Sequence, residues 1–494
     1  MTLPVPAFWF ATRPWLDNAS VAGATPPIVV RNPATGSLLA EVERADAEVV
    51  MRAIDAAAAA QRRWARAPAA SRGAVLLRLA GLLAARRDEF ARLLTAEQGK
   101  PVAQAAGEID YAVSFFQWFG EEARRICGRI VPHPEAGREF LVEQRPAGVA
   151  GLITPWNFPL AQGAKKIAAA VAAGCAAVWK PAEATPLVAL ALGPLAAEAG
   201  LPPGVLQIVP GDGGTIGGVL AAHPAVRVLS LTGSTATGRA VMTAAAAGIK
   251  RVALELGGNA PFIVLADADL DHAAADLVRL KLFVSGQVCV TANRVFVPRH
   301  LQDAFADRLA SRLTALRIGD GLDPGVDAGP LIHQEACREV GARVDDAVAA
   351  GARVVCRNES YAADPALAAG SFFPATLLAD VSDRTRLACE EIFGPVIPLM
   401  PYDDLADAVR RGNGTPYGLA AYVYGGDPAR CRAVAEALEA GIVGVNEWRP
   451  LKAEIPFGGW KQSGIGAEGG LEGIREFLET RVISLPRPTL DEKE

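Results

Sequence analysis

The first residue whose setting suggests chemistry is a cysteine in the second half of the chain. Cys289 follows a glycine-containing turn, Ser285-Gly286-Gln287-Val288, at the end of a predicted helix. A cysteine is a nucleophile only as a thiolate, which forms in surroundings rich in amides or positive charge. The alternative is a buried structural cysteine, because free cysteines are among the most buried residues. The neighbouring motifs have to decide between the two.

A carboxylate 34 residues earlier is the second candidate. Glu255 ends an apolar, strand-like run and is followed by Leu256-Gly257-Gly258-Asn259. Because a carboxylate at a strand end is partly desolvated, we expect its pKa to rise toward the range of a general base. A glutamate that only caps the next element is an equal alternative.

An amide placed between prolines and aromatic residues is the third candidate, in Pro155-Trp156-Asn157-Phe158-Pro159. In a dry site the Asn157 side chain can donate a hydrogen bond to a developing oxyanion. The alternative is a buried turn asparagine whose amide is satisfied by the backbone.

Two further segments at predicted strand ends are typical of nucleotide binding. The run from Leu231 to Gly238 includes Gly233 and Ser234, so that backbone amides and a helix N-terminus can approach a phosphate. It lacks the full G-x-G-x-x-G pattern, and a plain tight turn is the alternative. After another strand, Lys180 and Glu183 can bind ribose hydroxyls, and the acid there favours NAD over NADP by repelling a 2′-phosphate. A solvated Lys–Glu pair is the alternative.

An α/β scaffold is needed to bring these segments together. Short apolar runs alternate with helical stretches from Val149 to Glu255, which predicts βαβ units around a parallel sheet. The alternation continues to about Thr480, which predicts a second α/β unit. An amphipathic helical layer is expected over Ser71–Thr95, and a β-hairpin over Arg129–Val142.

The composition is that of an ordinary globular protein of about two to four domains. The chain has 494 residues, of which 51% are hydrophobic and 21% charged, with a net charge of −5. This balance predicts no nucleic-acid partner and no anionic membrane surface, and so favours a small-molecule substrate. Prolines interrupt both Met1–Pro14 and Pro146–Ala164, which argues against a signal peptide and a membrane span.

The number and spacing of the cysteines indicate whether the protein binds a metal and in which cellular compartment it works. Seven cysteines are scattered without any C-x-x-C pair, which predicts no disulfide framework, no metal site and a reducing, cytoplasmic location. A thiol hydrolase would also use Cys289, but it needs a histidine base, and all five histidines lie outside the motifs.

Together and in this order, the motifs resemble the aldehyde dehydrogenase superfamily. The resemblance extends from about Pro27 to about Pro486, and the spacing of Glu255 and Cys289 is that of the family. Other family-like segments are Arg31–Gly36, Glu97–Pro101, Glu390–Pro395 and Pro456–Gly459. Two further segments are most similar to the succinate-semialdehyde dehydrogenase group, namely Leu256–Val264 and Val443–Asn446.

The resemblance implies an NAD-dependent enzyme that oxidises an aldehyde to a carboxylic acid. Cys289 would attack the aldehyde, and Asn157 with the Cys289 N–H would hold the oxyanion of the thiohemiacetal. Hydride transfer to the nicotinamide would leave a thioester, which water activated by Glu255 would hydrolyse. Lys166 is implied to support this site from behind the residues that touch the substrate.

The implied cofactor is NAD, with NADP disfavoured by Glu183. Lys180 and Glu183 would hold the adenosine ribose, Ser234 the pyrophosphate, and Glu391 with Phe393 the nicotinamide end. The full expected cofactor-binding set is Ile153, Thr154, Pro155, Trp156, Lys180, Glu183, Gly233, Ser234, Gly257, Glu391 and Phe393.

The implied fold is an aldehyde dehydrogenase-like α/β fold. It comprises a Rossmann-type parallel-sheet NAD-binding domain (residues 1–127 and 147–257) and an α/β catalytic domain (258–480). The small β oligomerisation elements are residues 128–146 and 481–494. Because an exposed strand is an aggregation liability unless it pairs, a homodimer or homotetramer is expected.

The expected substrate is a semialdehyde of the succinate-semialdehyde type. That group typically carries two arginines where this chain has Phe283 and Lys165, so bidentate recognition of a carboxylate is lost at both places. The remote acid would then meet Lys165 or another cation such as Arg449 or Lys452. An uncharged aliphatic or aromatic aldehyde is the alternative. The residues expected to line the pocket are Phe158, Gln162, Lys165, Phe283, Val288, Val290, Trp448 and Phe457.

Overall fold

The computed structural model describes residues 11–487. Most of the stretch tested for a signal peptide (residues 1–10) and the end of the second oligomerisation segment (488–494) lie outside the described residues. None of the helices within 11–487 combines the length and the apolar character that a bilayer crossing requires.

Strands and helices alternate along much of the chain. The strands are β1 Trp15–Leu16, β2 Ala19–Ser20, β3 Ala24–Arg31, β4 Leu38–Arg44, β5 Arg129–Pro132, β6 Arg138–Pro146, β7 Val149–Ile153, β8 Ala176–Lys180, β9 Leu206–Ile208, β10 Val226–Thr232, β11 Arg251–Glu255, β12 Ala260–Val264, β13 Ala292–Pro298, β14 Arg353–Asn358, β15 Ala375–Ala379, β16 Val396–Tyr402, β17 Tyr417–Gly418, β18 Ala420–Tyr424, β19 Ile442–Val445, β20 Trp460–Lys461, β21 Gly464–Ile465 and β22 Leu478–Pro486. The helices are α1 Ala47–Trp64, α2 Ala69–Ala85, α3 Arg87–Gln98, α4 Val102–Glu122, α5 Ala161–Ala173, α6 Leu187–Glu198, α7 Gly213–Ala222, α8 Thr235–Ala246, α9 Leu270–Leu282, α10 Gln302–Thr314, α11 Gln334–Ala349, α12 Arg386–Cys389, α13 Leu405–Asn413, α14 Pro428–Ala437 and α15 Gly470–Arg475.

The first large sheet has the strand order β2-β1-β9-β8-β7-β10-β11-β21. The five central strands of this sheet are parallel to one another, as the alternation of apolar runs and helices predicts. They are β9, β8, β7, β10 and β11. Both edges are antiparallel, with β1 and β2 on one side and β21, from near the end of the chain, on the other. The edge strands are two residues long, too short for a hydrophobic period to reveal them.

The second large sheet has the order β14-β15-β16-β13-β12-β18-β19, parallel except for β14 at one edge. Strands β12, β13 and β18 are buried along their whole length. Such strands read as continuous apolar runs because helices and loops cover both faces of a parallel sheet. The α/β class predicted from the sequence is therefore confirmed.

A short connection joins the two large sheets between β11 and β12. Glu255 is the last residue of β11, and Cys289 lies in the segment that leads into β13. A Cβ atom at Gly258, within the connection, would stand 2.2 Å from the Cys289 carbonyl oxygen. Only glycine permits an approach this close, so this residue brings the cysteine segment against the end of the first sheet.

A small antiparallel sheet, β5-β6-β22, is formed by the hairpin and a strand near the end of the described chain. Strand β22 pairs with β6 over nine residues, from Leu478 opposite Pro146 to Pro486 opposite Arg138. The hairpin predicted over Arg129–Val142 extends four residues further. The helical layer predicted over Ser71–Thr95 is divided at Arg86 into α2 and α3.

A fully buried ion pair positions the loop that carries Asn157. The Lys100 Nζ atom lies 2.6 Å from Glu108 Oε2 and donates to the Asn157 carbonyl at 2.6 Å. Glu108 Oε1 accepts from the backbone N–H groups of Leu160 and Ala161 at 3.0 and 3.1 Å, where α5 begins. Both side chains of the pair have no exposed surface. The pair thus fixes both the asparagine loop and the start of α5.

Replacing Lys100 by Met should lower the free energy of unfolding by about 3–5 kcal/mol, because the Glu108 carboxylate is left buried without a counter-charge. Adding Glu108→Gln should recover part of the loss, since the amide oxygen still accepts from the start of α5. Chemical denaturation followed by tryptophan fluorescence measures both variants. A double variant as unstable as the single one would contradict this account of the pair.

Candidate active site

Two cavities meet at Cys289. The first, of about 620 Å³, is lined by Tyr111, Phe158, Ala161, Gln162, Lys165, Leu280, Phe283, Val288, Cys289, Val290, Trp448, Arg449, Leu451 and Phe457. The second, of about 650 Å³, is lined by Pro155, Trp156, Asn157, Thr232, Gly233, Ser234, Glu255, Leu256, Gly257, Cys289, Glu391 and Phe393. We call them the aldehyde cavity and the cofactor cavity, after the residues expected in each. Cys289 is the residue that both linings share.

The backbone before the cysteine is held in an unusual conformation. Val284 and Ser285 have φ angles of 51° and 54°, in the left-handed region that non-glycine residues rarely adopt. Ser285 Oγ donates to the Gly329 carbonyl at 2.7 Å. The buried Gln287 side chain donates to the Val284 carbonyl at 3.0 Å and accepts from the Ile332 N–H at 2.9 Å. These bonds stabilise a strained turn of the kind often found at functional sites.

Asn157 faces this turn from the end of the first sheet. Its side-chain Nδ2 donates to the Gln287 carbonyl at 2.9 Å, and its Oδ1 accepts from the Phe158 N–H at 3.1 Å. The residue is 3% exposed and lines the cofactor cavity beside Cys289. Since the amide has two N–H donors, one is left for an oxyanion formed next to the thiol.

Glu255 is a buried carboxylate beside the thiol. It is 2% exposed, and apart from the Cys289 thiol its carboxylate has no hydrogen-bond partner within residues 11–487. Burial raises its pKa, an effect that the Lys165 ammonium opposes. Burial and the Glu255 carboxylate together raise the pKa of the Cys289 thiol well above its usual value. A buried acceptor whose one side-chain partner is the thiol itself is suited to receive a proton from that thiol or from water.

Two lysines and a glutamate form a buried cluster behind Glu255. Lys165 and Lys166 both contact the Glu468 carboxylate, and Lys166 also donates to Ser230 Oγ at 3.1 Å. Burial alone would raise the pKa of Glu468, but the two ammonium groups outweigh it and hold it below its usual value. The pKa of Lys165 is raised, because Glu468 and Glu255 outweigh the effect of its burial. The charge of Lys165 is therefore compensated inside the protein.

The cofactor cavity has the features that a dinucleotide requires. Ser234 caps α8, with its Oγ accepting from the Thr237 N–H at 3.1 Å, so the positive end of the helix dipole lies at the cavity wall and suits a pyrophosphate. A Cβ atom at Gly257 would stand 2.9 Å from Glu391 Oε2, so glycine keeps this wall open. Burial raises the pKa of Glu391 to about 7. The residues present thus fit NAD(P).

The structure brings most of the expected cofactor residues together. Seven of them line the cofactor cavity: Pro155, Trp156, Gly233, Ser234, Gly257, Glu391 and Phe393. The other four lie at the carboxyl ends of β7 and β8, the edge at which parallel sheets bind nucleotides. Among these, Thr154 Oγ1 accepts from Trp179 Nε1 at 2.9 Å, a contact within the protein core.

Lys180 and Glu183 form a pair at the same edge. The Lys180 Nζ atom lies 2.7 Å from Glu183 Oε2, and Glu183 Oε1 accepts from the Gly213 N–H at 2.9 Å, at the start of α7. The glutamate therefore takes up the hydrogen bonds of the Lys180 ammonium and the Gly213 N–H, which would otherwise be free to bind a phosphate.

The aldehyde cavity contains all eight residues expected to line it. Its walls are formed largely by aromatic and aliphatic side chains, and the ring centroid of Phe283 lies 5.6 Å from that of Phe158 and 5.9 Å from that of Trp448. Sequence reasoning missed several lining residues that belong to no motif: Tyr111, Ala161, Leu280 and Leu451. It also missed Glu468, for which the only signal is a lone acid beside Gly469 and Gly470.

The chain is similar to known proteins over most of its length. A profile of the aldehyde dehydrogenase family matches residues 20–483. The succinate-semialdehyde dehydrogenase (NADP(+)) of Escherichia coli is 45% identical over 471 residues, covering 95% of this chain and 96% of that protein. The glutarate-semialdehyde dehydrogenase of Pseudomonas putida is also 45% identical, covering 95% of this chain and 96% of its own.

A solved structure shows the same fold over nearly the whole length. The crystal structure of succinate-semialdehyde dehydrogenase from Burkholderia pseudomallei has a TM-score of 0.95 and 42% identity, and the match covers 98% of this chain and 100% of that one. The family and the enzyme class predicted from the motifs are both confirmed. With this likeness along its length, the chain belongs to the aldehyde dehydrogenase family, whose members are oxidoreductases acting on aldehydes.

Proposed function

We propose that the protein oxidises a semialdehyde to the corresponding dicarboxylic acid with NAD(P), through the Cys289 thiol. The observation that carries the proposal is the position of Cys289, which is shared by an aromatic-lined cavity and a cavity suited to a dinucleotide. The two similar proteins from Escherichia coli and Pseudomonas putida are named for semialdehydes, which supports this substrate class. The aromatic walls favour an uncharged aromatic aldehyde as the second candidate.

In the first step the Cys289 thiolate attacks the aldehyde carbon, and the carbonyl oxygen becomes an oxyanion. The free N–H of the Asn157 amide and the backbone N–H of Cys289 stabilise that charge. When bound, the nicotinamide dinucleotide supplies the hydride acceptor that allows the thiohemiacetal to become a thioester. Asn157 keeps its position for this step because Lys100 holds its backbone carbonyl.

Glu255 is the general base of the reaction. Its carboxylate accepts the thiol proton, releases that proton to solvent, and then accepts a proton from the water that attacks the thioester. That attack releases the carboxylic acid and returns the cysteine to its starting state. Burial makes the Glu255 carboxylate a stronger base by raising its pKa, and Lys165 favours the ionised form, which is the form able to accept a proton.

Replacing Cys289 by Ala should reduce aldehyde oxidation by more than about a thousandfold, because the nucleophile is removed. Binding of NADH, followed by its fluorescence, should change by less than about threefold, since the residues expected to hold the cofactor are untouched. Cys389→Ala, at an exposed cysteine, is the matched control and should keep full activity. Turnover retained by the Cys289 variant would refute the catalytic assignment.

Replacing Glu255 by Gln should lower the pKa of the Cys289 thiol, because the variant removes a negative charge that opposes thiolate formation. The pKa should still stay above its usual value, since burial, the larger cause, is unchanged. The pH dependence of alkylation by iodoacetamide measures it, with Cys289→Ala as the background for the other cysteines. An unmoved or raised pKa would mean that the carboxylate does not act on the thiol.

We further propose that NAD is preferred over NADP. Glu183 occupies the Lys180 ammonium and the Gly213 N–H, and its charge repels a 2′-phosphate. The Escherichia coli relative is named for NADP(+), so this preference would be a difference between the two proteins.

Glu183→Ser should raise the ratio of kcat/KM for NADP to that for NAD by about tenfold or more, because it frees Lys180 and removes the repulsion. Glu183→Asp keeps the charge and serves as the control, with a ratio close to that of the wild type. Steady-state rates with each cofactor at a fixed aldehyde concentration provide the measurement. An unchanged ratio in the serine variant would exclude Glu183 from cofactor selection.

We also propose that the protein works as a homodimer or homotetramer in a reducing compartment such as the cytoplasm. The sheet β5-β6-β22 presents exposed apolar side chains, with Ile130 66% and Val482 59% exposed, which pairing with another subunit would cover. All seven cysteines are free, and the Cys289 thiol must stay reduced to act.

A further inference from the structure

Two cationic side chains line the aldehyde cavity, and only one has a compensating charge. Lys165 contacts Glu468 and lies beside Glu255, so its charge is already satisfied. Arg449 forms no ion pair and no hydrogen bond with any residue between 11 and 487. Burial lowers its pKa, which reflects the cost of placing an unpaired cation away from water. Such a group is suited to receive a charge from outside the chain.

The position of Arg449 is set by an aromatic platform. Its guanidinium carbon lies 5.0 Å from the ring centroid of Phe283. Phe283 is in turn enclosed by Phe158 and Trp448, at 5.6 and 5.9 Å between centroids. An arginine over an aromatic ring gains from the cation–π contact while its N–H groups stay free for a bidentate partner.

We propose that Arg449 binds the remote carboxylate of the substrate when the aldehyde carbon is at Cys289. The inference rests on the proposed function, because it names the residue by which the same site recognises a semialdehyde. Phe283, which carries no charge itself, takes part as the surface that holds the guanidinium. The anion is thereby recognised by a residue other than those at the two positions, Phe283 and Lys165, where the similar group carries arginines.

The other cations near the cavity do not serve this purpose as well. Lys165 would have to give up its contact with Glu468 in a buried setting, which is costly for both groups. Lys452 is in the same loop as Arg449, but it is exposed and does not line the cavity. Lys452 is therefore a matched control, since it has the same sign of charge a few residues away.

The test compares pairs of aldehydes that differ in charge but little in shape. Glutarate semialdehyde is paired with pentanal, and 4-formylbenzoate with 4-methylbenzaldehyde. In Arg449→Gln, kcat/KM for the anionic member of each pair should fall by about 10- to 100-fold, the effect of losing a charged hydrogen bond. For the neutral member it should change by less than about threefold. Lys452→Gln should leave both values unchanged, and Arg449→Lys should lie between the wild type and the glutamine variant.

Each result has one meaning. A wild type that prefers anionic aldehydes, with the preference lost in Arg449→Gln, supports the inference. If the wild type has that preference and Arg449→Gln keeps it, the inference is overturned while the proposed function stands. If the variant loses both members of a pair equally, Arg449 is a structural residue and the inference is again overturned. A wild type that prefers the neutral members overturns the proposed semialdehyde function, and the inference with it.

Discussion

The close approach of the cysteine segment to the end of the first sheet is the constraint on which the site depends. Glu255 ends a strand of one sheet, and Cys289 leads into a strand of the other. The two meet because Gly258 leaves room for the Cys289 carbonyl, where a Cβ atom would stand 2.2 Å away. The result is a half-buried cysteine that lines both cavities, next to a buried carboxylate that lines the cofactor cavity.

Burying so many ionisable groups requires compensation, and the structure supplies it in separate clusters. Lys100 and Glu108 neutralise each other while they hold the Asn157 loop and the start of α5. Behind Glu255, the Glu468 carboxylate pairs with both Lys165 and Lys166, and Glu255 adds a second negative charge beside Lys165. Each cluster works by pairing charges at short range in surroundings of low polarity, where an unpaired ion is expensive. Arg449 belongs to neither cluster and has no ion-pair partner within residues 11–487, so its charge is available to bind an anionic substrate.

The sequence predicted much of this arrangement, and its failures have physical causes. The central parallel strands and eight of the residues that line the aldehyde cavity follow from apolar runs and from motifs such as Pro155–Pro159. Strand β21 is too short to show a period, and it reaches the first sheet from more than two hundred residues away along the chain. Glu108 and Glu468 belong to no chemical motif, because their role depends on partners that are distant in sequence. The sequence does not tell which of the two cations, Lys165 or Arg449, has an ion-pair partner. Only the three-dimensional structure shows that Glu468 lies beside Lys165.

The central claim is that Cys289 carries the acyl group during turnover and that Glu255 assists in removing it. The most direct test is mass spectrometry of the Glu255→Gln variant, quenched with acid after mixing with glutarate semialdehyde and NAD. The account predicts a thioester on the peptide that contains Cys289, formed together with about one equivalent of NADH per site. NADH formed without an adduct that persists in this variant, or an adduct on another cysteine, would contradict it.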